Sequence, residues 1–119
     1  MEQTTLELIV SKPEKMNYMM VEFIGSLDSY FLGLKRKELY KLVSDLDKPN
    51  LIFNFGKLDY INSESIGMLI EVSAGLVEKG KHLIIVSAKR NVWDVLKTVG
   101  LFQTIACYKT MEEFVSKNQ

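Results

Sequence analysis

Apolar residues recur along this chain with two periods, and the alternation between them predicts an α/β fold. Leu6, Leu8 and Val10 alternate with Glu7 and Ile9, giving a first strand at about residues 5–11. Pro13, Glu14, Lys15 and Asn17 make a turn, and Tyr18 to Ile24 reads as a second strand ended by Gly25-Ser26. So short a connection predicts an antiparallel hairpin. Asp28 or Ser29 can cap a helix to about Leu46, with Phe31, Leu39, Leu42, Val43 and Leu46 on its core face. After Pro49-Asn50, the run Leu51-Ile52-Phe53-Asn54-Phe55 is apolar almost throughout, as in a strand buried on both faces. A second helix is expected from Ser63 to about Lys79, stopped by Gly80. His82 to Ser87 reads as another buried strand, Asn91 to Val99 as a third helix with Val92, Val95, Leu96 and Val99 inward, and Gly100 as its end. Thr104 to Tyr108 is the last strand, and Thr110 caps a closing helix. The order β-β-α-β-α-β-α-β-α implies a single α/β domain: a mainly parallel sheet with right-handed crossovers, an antiparallel N-terminal edge and about four helices.

Length and composition narrow the function more than the fold. At 119 residues the chain makes one domain, spanning residues 1–119, without repeats or linkers. Fifteen basic residues balance fifteen acidic ones, so the excess of positive charge that a nucleic-acid binder carries is missing. The densest basic cluster, Lys35-Arg36-Lys37, reads as a solvated helix surface. No run is apolar enough to span a bilayer, and MEQTTLELIVSKPEK lacks the regions of a secretory signal. The lone Cys107 has no partner for an internal disulfide and reads as a buried strand residue, so a cytoplasmic protein is expected. One His and one Cys give no nucleophile–base grouping, no metal-ligand cluster and no glycine-rich phosphate loop. His82 therefore reads as an ordinary solvated histidine, and neither catalysis nor a bound cofactor is expected.

The chemistry concentrates at one junction, between the Leu51 strand and the second helix. Asn62 is a strong N-cap residue, which makes Ser63 the first helical residue, followed by Glu64 and Ser65. The junction lies at the carboxyl end of a parallel strand, where ligands gather in such sheets. Free amides and the helix dipole at this point welcome a phosphate. Ser63 is the candidate acceptor and Ser65 a weaker second one; the plain alternative is that serines cap helix starts. On the second helix, Ile66, Leu69, Ile70, Ser73 and Val77 are expected to point inward, with Met68 and Val72 outward beside Glu64, Glu71, Gly75 and Glu78. An outward Met and Val beside a modifiable serine suggest a docking patch.

These residues also carry a family likeness. Gly25-Ser26-Leu27-Asp28, the stretch LIFNFGKLDYINSESIG, the strand KGKHLIIV and the segment VLKTVGLF at Val95–Phe102 resemble the STAS domain, named for sulfate transporters and anti-sigma factor antagonists. The chain is most similar to the small stand-alone bacterial antagonists. The family's central signature, aspartate-serine-(serine or threonine)-glycine-leucine-glycine, stands here as Asn62-Ser63-Glu64-Ser65-Ile66-Gly67. The resemblance implies an anti-anti-sigma factor that regulates transcription by partner switching. It binds an anti-sigma factor that is also a serine protein kinase, is released when that kinase phosphorylates Ser63, and is reset by a metal-dependent serine phosphatase. Metal and ATP belong to those partners. Ser26, Asp28, Asn62 and Glu64 are implied as further partner contacts, with Met68 and Val72 added from the docking-patch reading. Two departures mark this chain: Asn62 replaces the aspartate, and Glu64-Ser65 stand where the family has serine or threonine and then glycine. Both also fit a STAS scaffold that is never phosphorylated; a small-anion or ligand-sensing module stays open separately, because anion capture at a helix start needs no special side chain.

Overall fold

The computed structural model describes residues 5–118. β1 (Leu6–Ser11) and β2 (Tyr18–Leu27) form the expected antiparallel hairpin. They are followed by α1 (Ser29–Ser44), β3 (Asn50–Ile61), α2 (Ser63–Glu78), β4 (His82–Val86), α3 (Arg90–Thr98), a 3-10 turn (Leu101–Gln103), β5 (Ala106–Tyr108) and α4 (Met111–Lys117). The strands lie in chain order, β1-β2-β3-β4-β5, with every pair after the hairpin parallel. When strand order follows chain order, right-handed crossovers put successive helices on one face. Accordingly, Leu32 and Leu39 of α1, Leu69, Val72 and Leu76 of α2, and Val92 and Leu96 of α3 share one core with Val21, Phe23, Leu51, Phe53, Phe55, Leu83 and Ile85. The alternate residues Ile52, Ile84 and Val86 point to the opposite face, where Phe114 of α4 covers them. The run at residues 51–55 is thus apolar almost throughout because both faces of β3 are packed.

Several boundaries differ from the sequence reading. β2 continues through Gly25-Ser26 to Leu27, and β3 continues past Gly56 to Ile61. The β2–β3 register slips twice, between Glu22 and Ile24 and between Gly25 and Ser26. Such bulges let a strand keep pairing across residues that read as a stop. Gly25 takes φ +113°, a conformation open to glycine. α1 stops two residues before Leu46, which is buried all the same. Thr104 and Ile105, expected to open β5, instead form the turn that leaves the 3-10 segment, and the strand starts at Ala106. On α3 only Val92 and Leu96 are buried, whereas Val95 and Val99 are exposed.

Cys107 sits on β5 opposite Ile85, a strand residue as expected but half-buried rather than buried. Burial still pushes its thiol up to about 12. The reactive species is the thiolate. At pH 8 the folded chain should therefore react with iodoacetamide at least tenfold more slowly than the same chain in urea, as read by mass spectrometry. Equal rates would mean that Cys107 is not shielded.

Candidate functional site

The helices α1 and α2 begin side by side, each with a side-chain cap. Asp28 Oδ1 accepts from the Phe31 amide at 2.9 Å, and Asn62 Oδ1 accepts from the Ser65 amide at 3.0 Å. A third bond links the two caps: Asn62 Nδ2 donates to Ser29 Oγ at 3.0 Å. The Leu27 carbonyl, at the end of β2, accepts from the Asn62 amide at 3.1 Å and from Ser65 Oγ at 3.0 Å. The end of β2 thereby fixes the start of α2. An aspartate at position 62 would keep the cap, but Ser29 would then have to donate to it, so the amide reverses that bond without moving the backbone.

This framework separates the two serines. Ser63 is the exposed first residue of α2, standing on a helix start whose amides and dipole favour negative charge. Ser65 is fully buried and its hydroxyl donates to the Leu27 carbonyl, against its expected accessibility as a second acceptor. Ser26 is buried as well, at 4 % exposure, against its expected place on a contact surface. Asp28 is half-exposed and occupied as a cap, while Asn62 and Glu64 reach the surface beside Ser63.

The face of α2 is a further correction. Met68 and Val72 are 3 % and 4 % exposed and belong to the core, whereas Ile70 and Val77, expected inward, are 45 % and 56 % exposed. At about 100° per residue, Ser65, Ile66, Met68, Leu69, Val72, Ser73 and Leu76 cover one broad arc. The exposed half is split into two ribs. Ser63, Gly67, Ile70, Ala74 and Val77 form a small and apolar rib in line with the candidate acceptor. Glu64, Glu71 and Glu78, spaced by seven, form an acidic rib on its flank.

Sequence reasoning missed two residues of α1 that meet this acidic rib. The Arg36 guanidinium lies 3.7 Å from Glu64 and donates to Tyr40 Oη at 3.2 Å, and Tyr40 Oη donates to Glu71 at 3.3 Å. The cluster Lys35-Arg36-Lys37 was visible, but which of the three crosses to another helix depends on the phase of α1 and on helix pairing. Away from this surface, Arg90, Trp93, Asp94, Lys97 and Lys109 line an open cleft of about 510 Å³. Among the described residues no group of three or more His, Cys, Asp or Glu side chains is placed to hold a metal ion, and no helix is long and apolar enough to cross a membrane.

Fold and junction together define the class: a mixed-sheet α/β domain presenting an exposed hydroxyl on a capped helix start. The chain belongs to the STAS domain family, whose sequence pattern matches residues 10–114. Solved structures share the fold at low identity. An anti-sigma factor antagonist from Mycobacterium paratuberculosis is 16 % identical, with 95 % of this chain and 93 % of that one covered and a TM-score of 0.76. The Bacillus cell fate determinant SpoIIAA, in its phosphorylated form, is also 16 % identical, with 97 % and 100 % covered and a TM-score of 0.65. An anti-sigma-factor antagonist (STAS) domain protein from Planctomyces limnophilus is 11 % identical over 98 % of both chains, with a TM-score of 0.76.

Proposed function

We propose that this protein is an anti-sigma factor antagonist of the partner-switching type. Unmodified, it binds an anti-sigma factor with serine kinase activity; phosphorylation of Ser63 releases it, and a serine phosphatase restores it. The work is regulatory, carried by a surface rather than by catalysis. The observation that carries this reading is the placement of Ser63: exposed on a capped helix start, at the head of an exposed apolar rib. The family membership and the named antagonists sharing the fold support it.

The energetics suit a switch in binding rather than in folding. A phosphate adds about −1.5 to −2 charges and three acceptor oxygens. Its attraction to the helix start is worth only about 0.3–1 kcal/mol, and the neighbouring Glu64 opposes it, so the fold is left intact. Buried unpaired against a partner, the same anion costs several kcal/mol, and each 1.4 kcal/mol is about tenfold in affinity. The partner surface is then the Ser63 end of α2 with Gly67, Ile70, Ala74 and Val77, replacing the patch expected around Met68 and Val72.

The test is affinity capture of the tagged chain from its own cells, with each captured partner identified by mass spectrometry. Wild type and Ser63→Ala should retain a partner with a serine kinase domain. Ser63→Asp should lose it at least tenfold, and Ile70→Lys should weaken it with the melting temperature nearly unchanged. Retention by Ser63→Asp equal to wild type would sink the switch and favour a constitutive scaffold, for which Asn62 and Glu64 are the suggestive residues.

A further inference from the structure

The permanent charge of Glu64 beside Ser63 poses a problem for any switch that works by adding negative charge there. An unpaired carboxylate one residue from the acceptor would make the unmodified surface resemble the modified one. The seam between α1 and α2 answers this. Arg36 lies seven residues after Ser29, nearly two helical turns, so it projects from the side of α1 that carries Ser29 toward Asn62. Its guanidinium reaches the first turn of α2, 3.7 Å from Glu64. Its other arm donates to Tyr40 Oη at 3.2 Å, and the Tyr40 ring lies 5.8 Å from the guanidinium carbon. Tyr40 is tied in turn to Glu71. Arg36 is thus anchored through the tyrosine, while its contact with Glu64 is long and solvent-exposed, with side-chain exposures of 39 % and 53 %.

We propose that Arg36 is the charge reader of the Ser63 position. In the unmodified chain it neutralises Glu64, and when Ser63 carries a phosphate it moves to that phosphate. This rests on the reading of Ser63 as the acceptor and adds what makes Glu64 tolerable beside it. An exposed ion pair is worth about 0–1 kcal/mol and is readily exchanged. A phosphate offers nearly twice the charge of a carboxylate and, like it, two oxygens to the planar fork of a guanidinium. With Arg36 present, the Arg36–Glu64 pair sums to zero before modification, and the phosphate supplies the whole change. Without Arg36, the unmodified surface already carries the Glu64 charge and is no longer neutral before the phosphate arrives.

The experiment installs phosphoserine at position 63 during translation and titrates it by phosphorus NMR at low salt. The free group loses its second proton near pH 6. In the otherwise wild-type chain that ionisation should fall below its position in Arg36→Gln by half a unit or more. Arg36→Lys should recover part of the difference, because it keeps the charge but loses the fork. Glu64→Gln should lower the ionisation further, because it frees the guanidinium and removes a repelling neighbour. Lys37→Gln, which removes an equal charge from exposed α1 surface, should leave it in place. Identical titrations in wild type and Arg36→Gln, with both chains folded by melting temperature, would overturn the proposal, as would an equal shift in Lys37→Gln. Because the phosphate is installed rather than added by a kinase, the result stands apart from whether cells modify Ser63.

Discussion

Met68→Lys should destabilise the protein by about 4 kcal/mol or more, read as the loss of urea-unfolding free energy, because it places an unpaired ammonium in the core. Met68 is 3 % exposed and packs within the main cluster under α2, so the lysine stem has no short route to solvent. A domain of this size has only about 5–15 kcal/mol in hand, so the variant should be largely unfolded at modest temperature. Ile70→Lys, two residues on and 45 % exposed, should change stability by less than about 0.5 kcal/mol. The pair fixes the phase of α2 directly. If Met68→Lys is tolerated and Ile70→Lys unfolds the chain, the apolar rib beside Ser63 is the core and the proposed docking surface is lost.

The second large effect is expected far from Ser63 in sequence but at the strand that supports it. A Cβ added at Gly25 would lie 1.8 Å from the Thr5 carbonyl oxygen and 2.8 Å from its carbon. Both atoms are backbone, and the same oxygen accepts from the Ser26 amide at 2.8 Å. Nothing flexible can give way, and φ +113° is itself unfavourable for alanine. Gly25→Ala should cost about 2–4 kcal/mol and loosen the β1–β2 pairing, with faster amide exchange along β1. Gly100→Ala provides the comparison: φ is +76° but open space surrounds the position, so backbone strain alone should cost about 1–2 kcal/mol. Equal effects at the two positions would mean that the close approach to Thr5 is not a real constraint. Because Leu27, two residues after Gly25, holds both Asn62 and Ser65, Gly25→Ala should also loosen the start of α2.

The caps were the most legible part of the site, because capping is local chemistry. Asn62 before an apolar helix, Asp28 after a strand and Thr110 before Met111 all act as their residue types predict, and Asn62 places Ser63 at the first helical position. The order of elements was legible for the same reason, since strand and helix periods differ. The phase of α2 was not. Apolar residues cover more than half its circumference, from Met68 round to Ile70, so periodicity fixes an arc but not its centre. Leu76, buried in the main core, marks the true line; the expected stripe got Ile66, Leu69 and Ser73 right but took in Ile70 and Val77 and passed Leu76 over. The Arg36–Glu64 contact and the Ser65–Leu27 bond were out of reach because they join residues 28 and 38 positions apart through the pairing of helices and strands. Glu64 looked like an uncompensated charge from sequence; in the folded chain it has a cation within 4 Å.

The most direct test of the central claim is the modification state of Ser63 in the protein's own cells, mapped by mass spectrometry of the isolated protein from growing and from stressed cultures. Phosphate should be found on Ser63, with an occupancy that changes between the two conditions, and none on the buried Ser65. Ser63 unmodified in every condition, or phosphate on Ser65 instead, would contradict that claim.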